Sequence, residues 1–256
     1  MVECLSRLCY NRNMYNILLI GKELPDSIDF CEALKASDNK VYVSSKLEAD
    51  AVKFESDDIF TSTWNKASAV SAHSFLIKAE TKLEKINHVV FYYDAAYLCS
   101  KFELDKTEEL SQAVDQLINS YLYTTGELLK RIDQKKEDIC VSFVVRNYPS
   151  KYEIAVSGNR TPGVLPASSI VSIGEAAFTT LAQNFSTYVA DREYLSVILA
   201  KCPYNNELYK NDKQLAAWLL ESFDTISQAK HKQTVKQAST WNKVGTKLST
   251  GFALFK

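Results

Sequence analysis

Three tyrosines in this chain are each followed four residues later by a lysine: Tyr42/Lys46, Tyr97/Lys101 and Tyr209/Lys213. On a helix, such a pair sets an ammonium beside a phenol, lowering the phenol's pKa so that it can give or take a proton. Fourteen tyrosines in a lysine-rich chain produce one or two such pairs by chance, and a solvated lysine near a packed tyrosine is the plainer account. A second candidate is "NILLIGKELPDSIDFCEAL" (16–34), which has the outline of a nucleotide-binding strand, turn and helix. Such turns bring glycine backbone against phosphates at a helix N-terminus, but this one holds a single glycine, Gly21. Cys4, Cys9, Cys31, Cys99, Cys140 and Cys202 form no C-x-x-C pair, and His73, His88 and His231 are far apart. That scatter implies reduced thiols, a cytoplasmic protein and no metal site.

The elements that must position these residues follow from the apolar pattern. With 256 residues, 46% of them hydrophobic, the chain can bury one substantial core. It has no apolar run of membrane-spanning length. Residues 1–13 carry Arg7 and Arg12 but no signal-like apolar stretch, and they read as a disordered leader or as residues ahead of a start at Met14. Strands are expected at 15–21, 40–45, 57–63, 88–93, 138–145 and 194–200, and helices at 27–37, 67–86, 105–134, 168–189 and 212–226. The helix at 105–134 starts on a capping box formed by Asp105 and Glu108. Residues 146–166, rich in proline and glycine, read as a long loop. Apolar strands alternating with helices give a doubly wound α/β fold, a parallel sheet with helices on both faces, as a single domain over 14–228 with no internal repeat.

The tail, 229–256, differs from the body. From Thr225 onward the chain has no acidic residue and six lysines (Lys230, Lys232, Lys236, Lys243, Lys247, Lys256), which leaves about −7 on the remainder of a chain whose net charge is −1. Trp241, Val244, Leu248, Phe252 and Phe255 fall at roughly helical spacing, although Gly245 and Gly251 weaken a helix. Such a tail suits a phosphate surface, or folding back on an acidic body or a neighbouring subunit. The absent arginine argues against base reading and the aromatic stripe favours packing on protein, so a protein partner through the tail is expected and nucleic acid is not.

The order and spacing of these elements from about Tyr15 to Ile226 resemble a short-chain dehydrogenase/reductase. Local matches are "LLIG" followed by "EAL", "INHVVFYYDAA" at the fourth strand, the long capped helix, and "SSIVSIGEAAFTTLAQNFS" at the active-site helix. The resemblance implies a Rossmann-like fold, an NAD or NADP cofactor and a homodimer or larger assembly through the two long central helices. It also locates what has changed. In the family's T-G-x-x-x-G-x-G turn, Ile20 stands at the threonine, and Gly21, Pro25 and Ser27 stand at the three glycines. Proline removes a backbone donor, and serine adds a side chain where close approach is needed.

At the family's N-N-A-G strand end stand Phe91, Tyr92, Tyr93 and Asp94, aromatics expected to crowd an adenine or ribose. The catalytic asparagine matches Leu117, two residues from Asn119, and the serine matches Val144, two from Ser142. The Y-x-x-x-K pair matches Val171 and Glu175, neither able to do that chemistry. The expectation is a catalytically inactive module with a structural, regulatory or protein-binding role and no cofactor. The alternative is an atypical oxidoreductase binding NAD or NADP weakly through a rebuilt site. There Gly21 remains, Ser27 caps the helix and touches a phosphate, and Tyr148 or Tyr152 reaches the cleft.

Overall fold

The computed structural model describes residues 14–36, 38–99, 101–102, 106–157, 166–231 and 240–248. The leader, Asp105 of the capping box, Phe252, Phe255 and Lys232, Lys236 and Lys256 of the tail lie outside the described residues. Six strands have the expected apolar runs: β1 (Asn16–Leu24), β2 (Lys40–Ser45), β3 (Ile59–Ser62), β4 (His88–Asp94), β5 (Ile139–Arg146) and β6 (Leu195–Cys202). A seventh, β7 (Asn242–Lys243), comes from the tail, and the parallel sheet runs β3-β2-β1-β4-β5-β6-β7. β4 is buried along its whole length, and β5 along all but Arg146, as strands covered on both faces must be.

Nine helices among the described residues cover the sheet: α1 (Ile28–Leu34), α2 (Glu48–Phe54), α3 (Ala69–Leu83), α4 (Ala95–Cys99), α5 (Leu110–Val114), α6 (Ser120–Lys135), α7 (Lys151–Ser157), α8 (Ser169–Tyr188) and α9 (Asp212–His231). One core layer joins α1 and α9 to the sheet through Phe30, Tyr92 and Phe223. The other joins α3, α6 and α8 through Phe75, Tyr121 and Phe178, with Phe91 and Phe143 stacked at 4.9 Å.

Four expectations need correction. β1 continues three residues past Gly21, so the supposed start of a cofactor turn is still strand. The long helix is broken by a π turn (Asp115–Asn119) between α5 and α6. The presumed loop after β5 contains α7. In the tail, helical spacing misleads: Asn242 and Lys243 pair with Ala200 and Lys201 as strand. Val244 and Leu248 are buried there, and Trp218 donates its indole N–H to the Thr246 carbonyl at 2.8 Å.

Candidate functional site

Strand order alone locates the place where this fold holds a ligand. β1 lies beside β4, and the chain leaves these two strands in opposite directions across the sheet, so a crevice forms beyond their C-terminal ends. Gly21 stands at its base with φ +97°, where β1 slips register against β2 between Leu19 and Glu23. A Cβ on Gly21 would lie 2.0 Å from the Tyr92 carbonyl oxygen and 2.5 Å from the Tyr121 hydroxyl, which itself donates to that carbonyl at 2.7 Å. Gly21 is therefore required by strand–strand contact.

The next residue, Lys22, turns its ammonium inward. It is 8% exposed, 3.0 Å from Asp212 and 3.7 Å from Asp94, and it sits over the Tyr92 ring at 4.5 Å. Arg146, the last residue of β5, donates to Asp94 at 2.9 Å and to Asp212 at 2.6 Å. Two cations and two carboxylates from β1, β4, β5 and α9 thus form a closed ring across the crevice. Burial alone would raise the Asp212 carboxyl, but Lys22 and Arg146 outweigh it and hold its pKa below the ordinary value. Sequence reasoning passed over this ring. Its signal was an ionisable residue at the end of each of two apolar runs, Asp94 and Arg146, plus Lys22 inside a third.

A second set of contacts bridges the crevice on its other side. Asp26, in the turn before α1, pairs with Lys46 beyond β2 and accepts a hydrogen bond from Tyr97 of α4. Lys66 pairs with Glu23 at 2.8 Å. Tyr97 and Lys101 do meet, yet their tuning is opposite to that of a proton-transfer pair. Lys101 lies 3.6 Å over the ring centroid. Burial and the bond to Asp26 push the phenol up to about 12, while burial and Lys46 bring the Lys101 amine down to about 8. Tyr42 is on a strand and bonds Ser62, and Lys213 pairs with Asp29 at 3.8 Å, so neither remaining pair acts as a unit.

The positions matched to catalytic residues do not converge. Leu117, inside the π turn, and Val171 are buried in the α3/α6/α8 layer, whereas Val144 is in the α1/α9 layer on the opposite face. The Tyr93 hydroxyl donates to the Val171 carbonyl at 2.6 Å, filling the gap between β4 and α8. Gly174 makes room for this: a Cβ there would meet the same hydroxyl at 2.5 Å and Leu117 at 2.9 Å. Glu175 accepts from the Asn147 side-chain amide and the Tyr148 backbone, and burial raises its pKa. Asn147, which the sequence reading missed, is the residue after β5 that reaches α8. Ser142 is buried in β5, and Asn119 donates to Asp115 on its own helix.

The remaining alternatives fare no better. Ser27 is 2% exposed, its hydroxyl lies against Cys31 Sγ, and α1 has no side-chain cap, so it offers a phosphate nothing. Tyr152 is 76% exposed on α7, and Tyr148 is half-buried against both core layers. Phe91, Tyr92 and Tyr93 are fully buried, and the Lys22 ammonium covers the Tyr92 ring at the crevice. What closes the crevice is charge. The residues present do not fit a dinucleotide: the one glycine faces backbone, and the strand ends are spanned by mutually satisfied ions. Among the described residues there is no group of histidine, cysteine and carboxylate able to hold a metal, and no helix long and apolar enough to cross a membrane.

The sequence matches no protein-family profile and no curated protein. Solved structures do match. A short-chain dehydrogenase from Mycobacterium smegmatis aligns at TM-score 0.62 and 10% identity, covering 92% of this chain and 94% of its own. The 3-ketoacyl-(acyl-carrier-protein) reductase of Brucella melitensis, solved in complex with NADH, aligns at 0.57 and 13% identity, covering 89% and 96%. A short-chain dehydrogenase/reductase from Vibrio parahaemolyticus aligns at 0.55 and 13%, covering 79% and 90%. With the parallel seven-stranded order and its helix layers, these alignments establish that the chain has the short-chain dehydrogenase/reductase fold.

Proposed function

We propose that this chain uses the dehydrogenase fold as a non-catalytic module, structural or regulatory, that acts by binding protein. The observation that carries the reading is the Lys22–Asp94–Arg146–Asp212 ring, which satisfies its own charges where a cofactor would have to lie. The substitutions at Val171, Glu175 and Leu117 agree with it, since function resides in sites and not in folds. Self-association is part of the reading: Leu122 on α6 and Ile173 and Tyr188 on α8 are exposed apolar residues on the long central helices. Two measurements test it together. Light scattering of the purified chain should return a mass of a dimer or more. Incubation with NADH or NADPH and a panel of aldehydes and ketones should leave the absorbance of the reduced nicotinamide unchanged. Steady oxidation that depends on the added carbonyl compound would refute the non-catalytic reading.

A further inference from the structure

The contacts on the α4 side of the crevice gather more amines than carboxylates. Glu23 is near the end of β1, Asp26 is in the turn before α1, Lys46 follows β2, and Lys66 follows β3. Tyr97 and Lys101 come from α4 and the turn after it. Both carboxylates are already engaged: Glu23 by Lys66 at 2.8 Å, and Asp26 by Lys46 at 2.5 Å and by the Tyr97 hydroxyl. Lys101 has no carboxylate partner among the described residues and instead lies 3.6 Å over the centroid of the Tyr97 ring. The Lys46 ammonium is 5.7 Å from the same centroid, so the two amines share one ring.

This arrangement sets Lys101 apart from an exposed lysine such as Lys130, whose side chain is 75% exposed. Lys101 is half-buried, which strips water from its ammonium, and Lys46 and Lys66 repel a positive charge placed there. The ring face, Glu23 and Asp26 favour the ammonium, but burial and Lys46 prevail and bring the amine down to about 8. A lysine in such surroundings is uncharged often enough at neutral pH to act as a nucleophile toward carbonyl compounds.

We propose that Lys101, held among Tyr97, Lys46, Lys66, Glu23 and Asp26, is a covalent attachment site for a small 2-oxo acid. The Nζ lone pair adds to the carbonyl carbon, the two amine protons leave with the carbonyl oxygen as water, and a C=N bond remains. The step consumes no oxidant and no reductant. The carbonyl matches the unpaired amine. The carboxylate matches the charge around it, since three amines there face two carboxylates and an added anion is drawn to the excess. Attachment requires no opening of the Lys22–Asp94–Arg146–Asp212 ring, so its failure would leave the non-catalytic reading intact.

The test is reductive trapping of the full chain with glyoxylate and cyanoborohydride, with adducts located by peptide mass mapping and labelling of Lys101 expressed relative to Lys130 in the same sample. At about pH 7.5, roughly a quarter of amines titrating near 8 are uncharged, against about one in a thousand for a lysine at its ordinary value. Lower basicity and half-burial offset part of that advantage, so Lys101 should be labelled about tenfold faster than Lys130. The ratio should fall toward one as pH rises to about 10, where ordinary lysines also lose their protons. Lys46→Ala removes the repelling ammonium and frees Asp26 to pair with Lys101, so it should lower the ratio several-fold. Acetaldehyde, which has no carboxylate, should show a smaller preference for Lys101 than glyoxylate does. Lys101 labelled no faster than Lys130 would overturn the proposal, as would an unchanged ratio in Lys46→Ala or an equal preference with acetaldehyde.

Discussion

Asp94 is 3% exposed and takes a hydrogen bond from Arg146 while Lys22 stands 3.7 Å away. Removing one member of such a buried set strands the others without counter-charge, which is far costlier than the net worth of the intact pair. Asp94→Asn should therefore destabilise the fold by about 3–5 kcal/mol, seen as a lower urea midpoint at unchanged slope. A loss below about 1 kcal/mol would mean that water reaches the ring. Glu175 carries the opposite signature. Burial raises its folded pKa, so the native state favours the protonated acid and loses stability as pH rises from the unfolded value through the raised one. Glu175→Gln removes that titration. Its stability relative to wild type should increase as pH rises above the ordinary glutamate value of about 4.3, with no pH-dependent difference well below it. A difference that stays flat as pH rises would place Glu175 in water.

At the scale of elements, the β1 bulge explains why a glycine survives when the rest of its motif does not. Gly21 holds φ +97° with the Tyr92 carbonyl where a Cβ would be. Gly21→Ala should cost about 3 kcal/mol or more through clash and backbone strain together, and its thermal midpoint should fall accordingly. A midpoint within a degree or two of wild type would show that β1 can shift. The six long strands and the helices α1, α3, α6, α8 and α9 were legible because their apolar residues repeat with the period of each element. Helices α2, α4 and α7 were not: α2 buries only Ala51, α4 only Ala95 and Leu98, and α7 is largely exposed, so none has the buried face that Phe30, Cys31 and Leu34 give the equally short α1. The two-residue β7 left no strand pattern, and the near-helical spacing of Trp241, Val244 and Leu248 pointed elsewhere. The residue types at the positions matched to catalytic residues, Leu117, Val144, Val171 and Glu175, were readable from the sequence alone. The ion ring was not, because Lys22, Asp94, Arg146 and Asp212 are separated by up to 190 residues and meet only through strand order.

For the whole molecule, the proposed function rests on a dehydrogenase-like scaffold whose crevice is spanned by its own side chains. β1, β4, β5 and α9 are tied together at the crevice by ions that a cofactor would have to displace. Asp26, Lys46 and Tyr97 tie the turn before α1 to α4 across the same opening. Opening this face would leave buried charges unpaired, at a cost of several kcal/mol that a bound dinucleotide would have to exceed. The most direct measurement is calorimetric titration of the wild-type chain with NADH and with NADPH at millimolar concentration. The account predicts no saturable heat with either. Saturable binding of either, weakened by Asp94→Asn, would place the dinucleotide in the crevice and contradict the claim that the ring has closed it.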